Sequence, residues 1–285
     1  MSNGAAVTNH TSSVGERPRA VQRGLSKVPE ITAFFWVTKI LTTAMGEATS
    51  DFMNAALGPA IAVPLMLIGL TVALKRQFRA PSYNAWNYWL VVVMVAVFGT
   101  SAADALHVGF GIAYPVSSSF YLVVLTVVFT AWYRSEKTLS IHSIYTRRRE
   151  QFYWATVLAT FALGTAAGDM TATNWHLGYL SSGVLFISLF ALPAVAYRWF
   201  GLSSIVAFWF AYIMTRPLGA SFADWMDATR HLGGLALGQG PVALGLAVIM
   251  VGFIAYLAIS RIDVKGEQPA SAQPHVQPVL DVELD

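Results

Sequence analysis

Residues 35–51 read FWVTKILTTAMGEATSD, and their frame decides the fold because it returns three more times. It is an aromatic residue, Trp, nine residues, Gly, four residues, then Asp. The other copies are YWLVVVMVAVFGTSAAD at 88–104, YWATVLATFALGTAAGD at 153–169 and FWFAYIMTRPLGASFAD at 208–224. The internal spacing is constant, while successive Trp residues lie 53, 65 and 55 positions apart. Self-similarity at such a period marks copies of one supersecondary unit.

The surrounding composition sets the solvent of these units. Of the 285 residues, 55% are hydrophobic and only 12% charged, with a mean hydropathy of +0.54. A soluble domain carries about 25% charged residues. Apolar runs of about 20 residues, the length that crosses the hydrocarbon core as helix, recur near 31–52, 57–74, 87–107, 112–133, 151–170, 180–199, 204–224 and 240–260. The expectation is an all-α polytopic membrane protein whose partner is the lipid bilayer. Eight transmembrane helices would form four two-helix repeats, near 31–80, 84–137, 149–200 and 204–263. Residues 1–28 lack the apolar core of a signal peptide, and they and residues 264–285 have the composition of disordered tails flanking a 29–263 membrane domain. The absence of cysteine removes thiolate metal sites, iron–sulfur clusters and cysteine nucleophiles.

Charge sets the orientation. Fifteen of 18 Lys and Arg residues fall in the N-terminal segment, in connections after even-numbered spans, or at the C-terminal end. The run Arg147-Arg148-Arg149 is one such cluster and reads as a topology signal instead of a nucleic-acid site. By the positive-inside rule both termini are cytoplasmic. Two-helix units inserted in the same sense are parallel repeats, related by rotation about an axis along the membrane normal. The odd-numbered spans carry the motif and nearly all the intramembrane charge, so they belong at the centre, with the even spans facing lipid.

Four tandem two-helix repeats with a fixed Trp resemble a bacterial family of membrane-anchored proteins known as a tandem repeat of unknown function. The resemblance covers about 31–261 and rests on the four Trp-x9-Gly-x4-Asp copies, on Thr42-Thr43-x-x-Gly46-Glu47 and on Thr215-Arg216-Pro217-Leu218-Gly219. It implies an eight-helix protein of the inner membrane and brings no activity with it.

On a helix, Asp lies 15 residues after Trp, about 60° around and about 22 Å further along. Trp is then expected at the cytoplasmic interface as an anchor, with Asp toward the outer third. Gly and Asp are about 140° apart. Either Gly packs on a neighbouring helix while Asp faces a cavity, or the helix opens near Gly and Asp caps the outer part. Pro217 favours a local break in the fourth copy. Of the 16 residues between the Gly–Asp pairs, 14 are Gly, Ala, Ser or Thr, the small residues that let helices approach.

Carboxylates at this depth cost about 2.5–3.5 kcal/mol on insertion scales and face protein or water. Glu47, Asp51, Asp104, Asp169, Asp224 and Asp227 are the candidates for binding a small cation or proton, with capping as the alternative role for the Asp residues. Lys39 and Glu47 occur only in the first copy and Arg216 only in the fourth, so the ring is unequal, as suits a charge-balanced relay. His107, His176 and His231 follow Asp104, Asp169 and Asp224 by three, seven and seven residues; with the acids they form a candidate divalent-metal set. No cofactor motif, phosphate loop or catalytic signature is present. The expected function is secondary, cation- or proton-linked transport of a small cation or other small solute. A membrane sensor or assembly protein, or an intramembrane enzyme, are the alternatives.

Overall fold

Helix signals sit where the apolar runs begin. Thr32 accepts from the Phe35 amide, Asn84 from Asn87 and Thr146 from Arg149, capping three odd-numbered helices and satisfying donors that the first turn leaves open. Gly58, at φ 75°, turns the chain and Pro59 opens the next helix. A computed structural model describes residues 26–264, so the two tails read from the sequence lie almost wholly outside the described residues.

Among the described residues, eight long α-helices follow in order: α1 (Ala33–Leu57), α2 (Pro59–Arg79), α3 (Ala85–Asp104), α4 (Tyr114–Glu136), α5 (Arg147–Asp169), α6 (Gly178–Phe200), α7 (Ser204–Asp227) and α8 (Gln239–Ser260). A π-helical turn extends α3 over Ala105–Gly109 and another extends α5 over Met170–Asn174. Six helices, α2, α3, α4, α6, α7 and α8, are long and apolar enough to cross a membrane. The other two are the polar members of the bundle: α1 carries Lys39, Glu47 and Asp51, and α5 opens on Arg147–Glu150 and is rich in Thr and Gly.

The packing is cyclic. α1 packs on α3, α3 on α5, α5 on α7, and α7 back on α1. Outside this ring, α2 lies on α3, α4 on α5, α6 on α7 and α8 on α1, so each even helix leans on the odd helix of the next repeat. Burial follows: 61% of the spans of α3 and α7 is buried, against 22–28% for the four even helices. Ile61, Ile68, Val123, Leu244 and Val248 project from the outer surface.

The motif glycines close the ring. A Cβ at Gly46 would run into Ala96, one at Gly99 would meet Phe161 at 3.0 Å, one at Gly164 would strike Arg216 and Pro217, and one at Gly219 would strike Thr43. In each case the residue struck lies three positions before the Gly of the next copy, and the fourth copy returns to the first. This selects the close-packing reading: α1, α3, α5 and α7 run unbroken through their glycines. The break expected at Pro217 does not occur either. Its ring lies in space left by Gly164 and Gly168 of α5, with Cβ contacts of 3.0 and 3.5 Å, so α7 carries the proline as a continuous helix.

At the end bearing most of the basic residues, Lys27 meets Glu150 at 2.8 Å in a buried ion pair. The Gln77 amide donates to Glu150 (3.2 Å) and to the Lys27 carbonyl (3.3 Å). Lys27 and Val28 are buried, so the tail expected over 1–28 gives way to packed chain by residue 27.

Candidate functional site

Along the inward side of each odd helix, residues recur with a four-residue step, a stripe that drifts about 40° around the axis per step. In α1 it is Phe35, Lys39, Thr43, Glu47 and Asp51, and in α3 Tyr88, Val92, Ala96, Thr100 and Asp104. In α5 it is Tyr153, Val157, Phe161, Thr165 and Asp169, and in α7 Phe208, Tyr212, Arg216, Ala220 and Asp224. Closing the ring stacks these stripes into layers.

The first layer is aromatic. Phe35 and Phe208 approach at 6.2 Å between centroids, Tyr88 and Tyr153 at 6.4 Å, and the two tyrosine hydroxyls lie 2.5 Å apart. All four rings are buried and plug one end of the ring. The neighbouring tryptophans belong to this plug, which corrects their expected role as interfacial anchors. Trp89, Trp154 and Trp209 are buried and Trp36 is half-buried. Standing one residue from the inward stripe, each turns toward a seam between helices. Trp209, for example, packs on Phe129 and Trp132 of α4 and donates to the Leu139 carbonyl at 2.9 Å.

Above the plug, the Lys39 Nζ sits 4.0 Å from the Phe161 ring centre and 4.3 Å from that of Tyr212. It has no solvent exposure and no hydrogen-bond partner. Two aromatic faces stand beside the amine in place of a carboxylate.

Arg216 is the hub of the next layer. Its guanidinium, also without solvent exposure, ties all four odd helices together. Nη2 lies within hydrogen-bond reach of Glu47 of α1, of the Thr100 hydroxyl of α3 and, at 2.7 Å, of the Thr165 hydroxyl of α5, and its two N–H groups are shared among them, while Nη1 points to the Thr43 carbonyl at 3.4 Å. Thr100 also donates to Glu47 at 3.1 Å. The planar fork of Arg suits such divided recognition. Glu47, Thr100 and Thr165 each directly follow the motif Gly, so one position in three repeats supplies the partners of one Arg in the fourth.

The four motif Asp residues form the next layer, half-buried beneath an open cup. Asp51 interacts electrostatically with Glu47, Asp104, Asp227 and Arg216, and Asp104 with Glu47, Asp169 and Arg216. Asp169 interacts with Asp51, and Asp224 with both Asp51 and Asp169. The carboxylates therefore share one region. Capping does not account for them: Asp104 and Asp169 make no side-chain cap bond to the turns that follow, and Asp51 and Asp224 lie within α1 and α7.

Two cavities meet at Asp51 and Gln239. One, about 500 Å³, is lined by Asp51, Tyr179, Asp224, Asp227, Thr229 and Gln239. The other, about 410 Å³, has Asp51 and Asp104 with Asn54 and Ser101, under walls that include Val63 and Phe110. One carboxylate oxygen each from Glu47, Asp51 and Asp224 fall within 4.8 Å of one another.

The histidines stand apart from that trio. His107 bonds through Nδ1 with the Ile112 carbonyl at 2.7 Å and stacks on Tyr114 at 3.4 Å. His176, at φ 55°, and His231 are exposed. Of the residues singled out from sequence, Glu47, Asp51, Asp104, Asp169, Asp224, Asp227, Lys39 and Arg216 converge on the ring interior and its mouth, and the three histidines do not join them. Thr100, Thr165, Asn54 and Gln239 were missed. The first two were visible as the counterparts of Glu47 in the repeat register.

A repeat-family profile matches residues 34–83, 87–138, 152–202 and 207–263, one match for each two-helix unit. The chain belongs to the family described as Repeat of Unknown Function (DUF347). In this repeat family's four copies here, the fixed Gly builds the ring, and the fixed Asp of the first, second and fourth copies lines its cup. No curated protein and no solved structure matches the chain.

Proposed function

We propose that the protein is a membrane transporter, secondary active and linked to a cation or to protons, of the bacterial inner membrane. One observation carries the reading: Asp51, Asp104 and Asp224, motif carboxyls of three repeats, line adjoining cavities at the end of the ring opposite the plug of buried aromatic rings. A site accessible from one side and closed on the other is the arrangement alternating access requires, and parallel repeats place such sites at their interface. Five inward carboxyl groups, Glu47 and the four Asp, stand against one buried guanidinium, Arg216, and the amine of Lys39. The negative excess favours a bound cation or protons as its counterweight, since uncompensated charge at this depth is costly.

In this reading all eight helices span the bilayer as four parallel units about a pseudo-symmetry axis, with both termini cytoplasmic. The cyclic glycine contacts and the distribution of Lys and Arg support that topology. α1 and α5 are less apolar because their polar stripes face the ring interior, where lipid does not reach. The chemistry is transport without enzymatic turnover. The test is flux: sealed vesicles holding the purified protein carry a proton or cation current, and Asp104→Asn and Asp169→Asn each abolish it. Unchanged flux in both variants, with wild-type thermal unfolding, overturns the reading.

A further inference from the structure

The two lobes of the cup differ in chemistry, and the difference names a substrate class. The lobe at Asp224 and Asp227 is polar. The lobe at Asp51 and Asp104, about 410 Å³, is walled by Pro59, Val63, Ala105 and Phe110. A metal ion calls for oxygen ligands and has no use for such a wall. Apolar cavities of roughly 300–1,000 Å³ with a few fixed polar groups are the sites of organic ligands.

The polar groups of this lobe say which end of the ligand they meet. Asp51 and Asp104 are acceptors. Asn54, which lines the same lobe, donates from Nδ2 to the Ser101 hydroxyl at 3.0 Å, and its buried Oδ1 accepts no hydrogen bond from the protein. The two carboxyl groups dominate a polar lining completed by Asn54, Ser101 and Gln239, and they are complementary to N–H groups carrying positive charge. Glu47, the third member of the close carboxylate trio, is already committed to Arg216, which weakens that trio as a metal site.

We propose that the cargo is an organic ammonium ion with an apolar body, its N–H groups on Asp51 and Asp104 and its hydrocarbon against Val63 and Phe110. The inference rests on the transport reading and deepens it.

The test is binding of n-alkylammonium ions, from methyl to hexyl, to the purified full chain in detergent by calorimetry, with manganese and potassium chlorides alongside. Affinity is expected to rise about fourfold per buried methylene, which is about 0.8 kcal/mol converted at 25 °C. Val63→Trp, which fills the lobe, and Val63→Ser, which makes its wall polar, each lower hexylammonium affinity. Asp51→Asn with Asp104→Asn abolishes binding of the whole series. A chain-length effect that survives the paired Asn variant is partition into micelles and overturns the proposal. So does manganese binding that requires Asp51 and Asp104 with no dependence on alkyl length; that result leaves transport standing. If no cation binds and the vesicles show no flux, both this proposal and the transport reading fall.

Discussion

Arg216 is the side chain on which the ring turns. It meets Glu47, Thr100, Thr165 and the Thr43 carbonyl, so its removal strands a buried carboxylate and unties four helices at once. Breaking a buried ion pair by deleting one partner costs about 3–5 kcal/mol. Arg216→Ala should therefore lower the thermal midpoint in detergent strongly. Arg216→Lys should lower it less, because charge is kept while the planar fork is lost. Equal midpoints for wild type and both variants would show that the hub contributes nothing to stability. A second prediction belongs to Asp263, which lies beyond the last helix. Burial holds its carboxyl above the ordinary value of 3.8, and the hydrogen bond from Tyr83 acts in the opposite direction. The native state then binds the proton more tightly than the unfolded chain does. Its contribution is complete below the unfolded value and is lost as pH rises through the native one. Asp263→Asn should remove that decline from the pH profile of the unfolding midpoint, and an unchanged profile would contradict it.

At the scale of the element, the four-residue step along each odd helix explains both the packing and the layers. Gly219 is the tightest of the closing contacts because a Cβ there meets the Thr43 side chain and comes within 2.8 Å of the Ala44 backbone nitrogen. Gly99 faces the Phe161 Cβ at 3.0 Å, and a side-chain atom yields more readily than backbone. Gly219→Ala should therefore destabilise more than Gly99→Ala, within the range of about 1–3 kcal/mol typical of overpacking. The reverse order in unfolding midpoints would contradict the cyclic contact. The helices themselves were legible from apolar length and caps, and their observed bounds depart from the sequence reading by a few residues at most ends. The motif Asp stripe was legible because charge inside a span stands out. Thr100 and Thr165 were not, since a threonine in a membrane helix usually bonds its own backbone, as Thr165 also does with the Phe161 carbonyl. Only their register with Glu47 marks them. The tryptophans were misplaced because an interfacial preference describes an isolated helix, whereas three of these rings fill seams that exist only after the ring closes. The Lys27–Glu150 pair joins positions 123 residues apart, and no local pattern announces it.

For the whole molecule, the arrangement separates a constant frame from a variable lining. The repeated Gly, aromatic and Asp positions make a ring with a plug at one end and a cup at the other. Lys39, Glu47 and Arg216 break its equivalence, so the four motif carboxyls stand in unequal surroundings. The absence of native cysteine makes topology directly measurable. Single cysteines at Lys137 and Thr229 should be labelled from opposite sides of sealed vesicles by a membrane-impermeant maleimide, and labelling from one side would refute the proposed orientation of the repeats. The most direct test of the central claim is cation- or proton-linked flux in proteoliposomes, measured for wild type and for Asp51→Asn, Asp104→Asn, Asp169→Asn and Asp224→Asn, each checked for native unfolding. The account predicts that every variant loses most of the flux, because the four carboxylates act as one set. Wild-type flux in all four folded variants would contradict it.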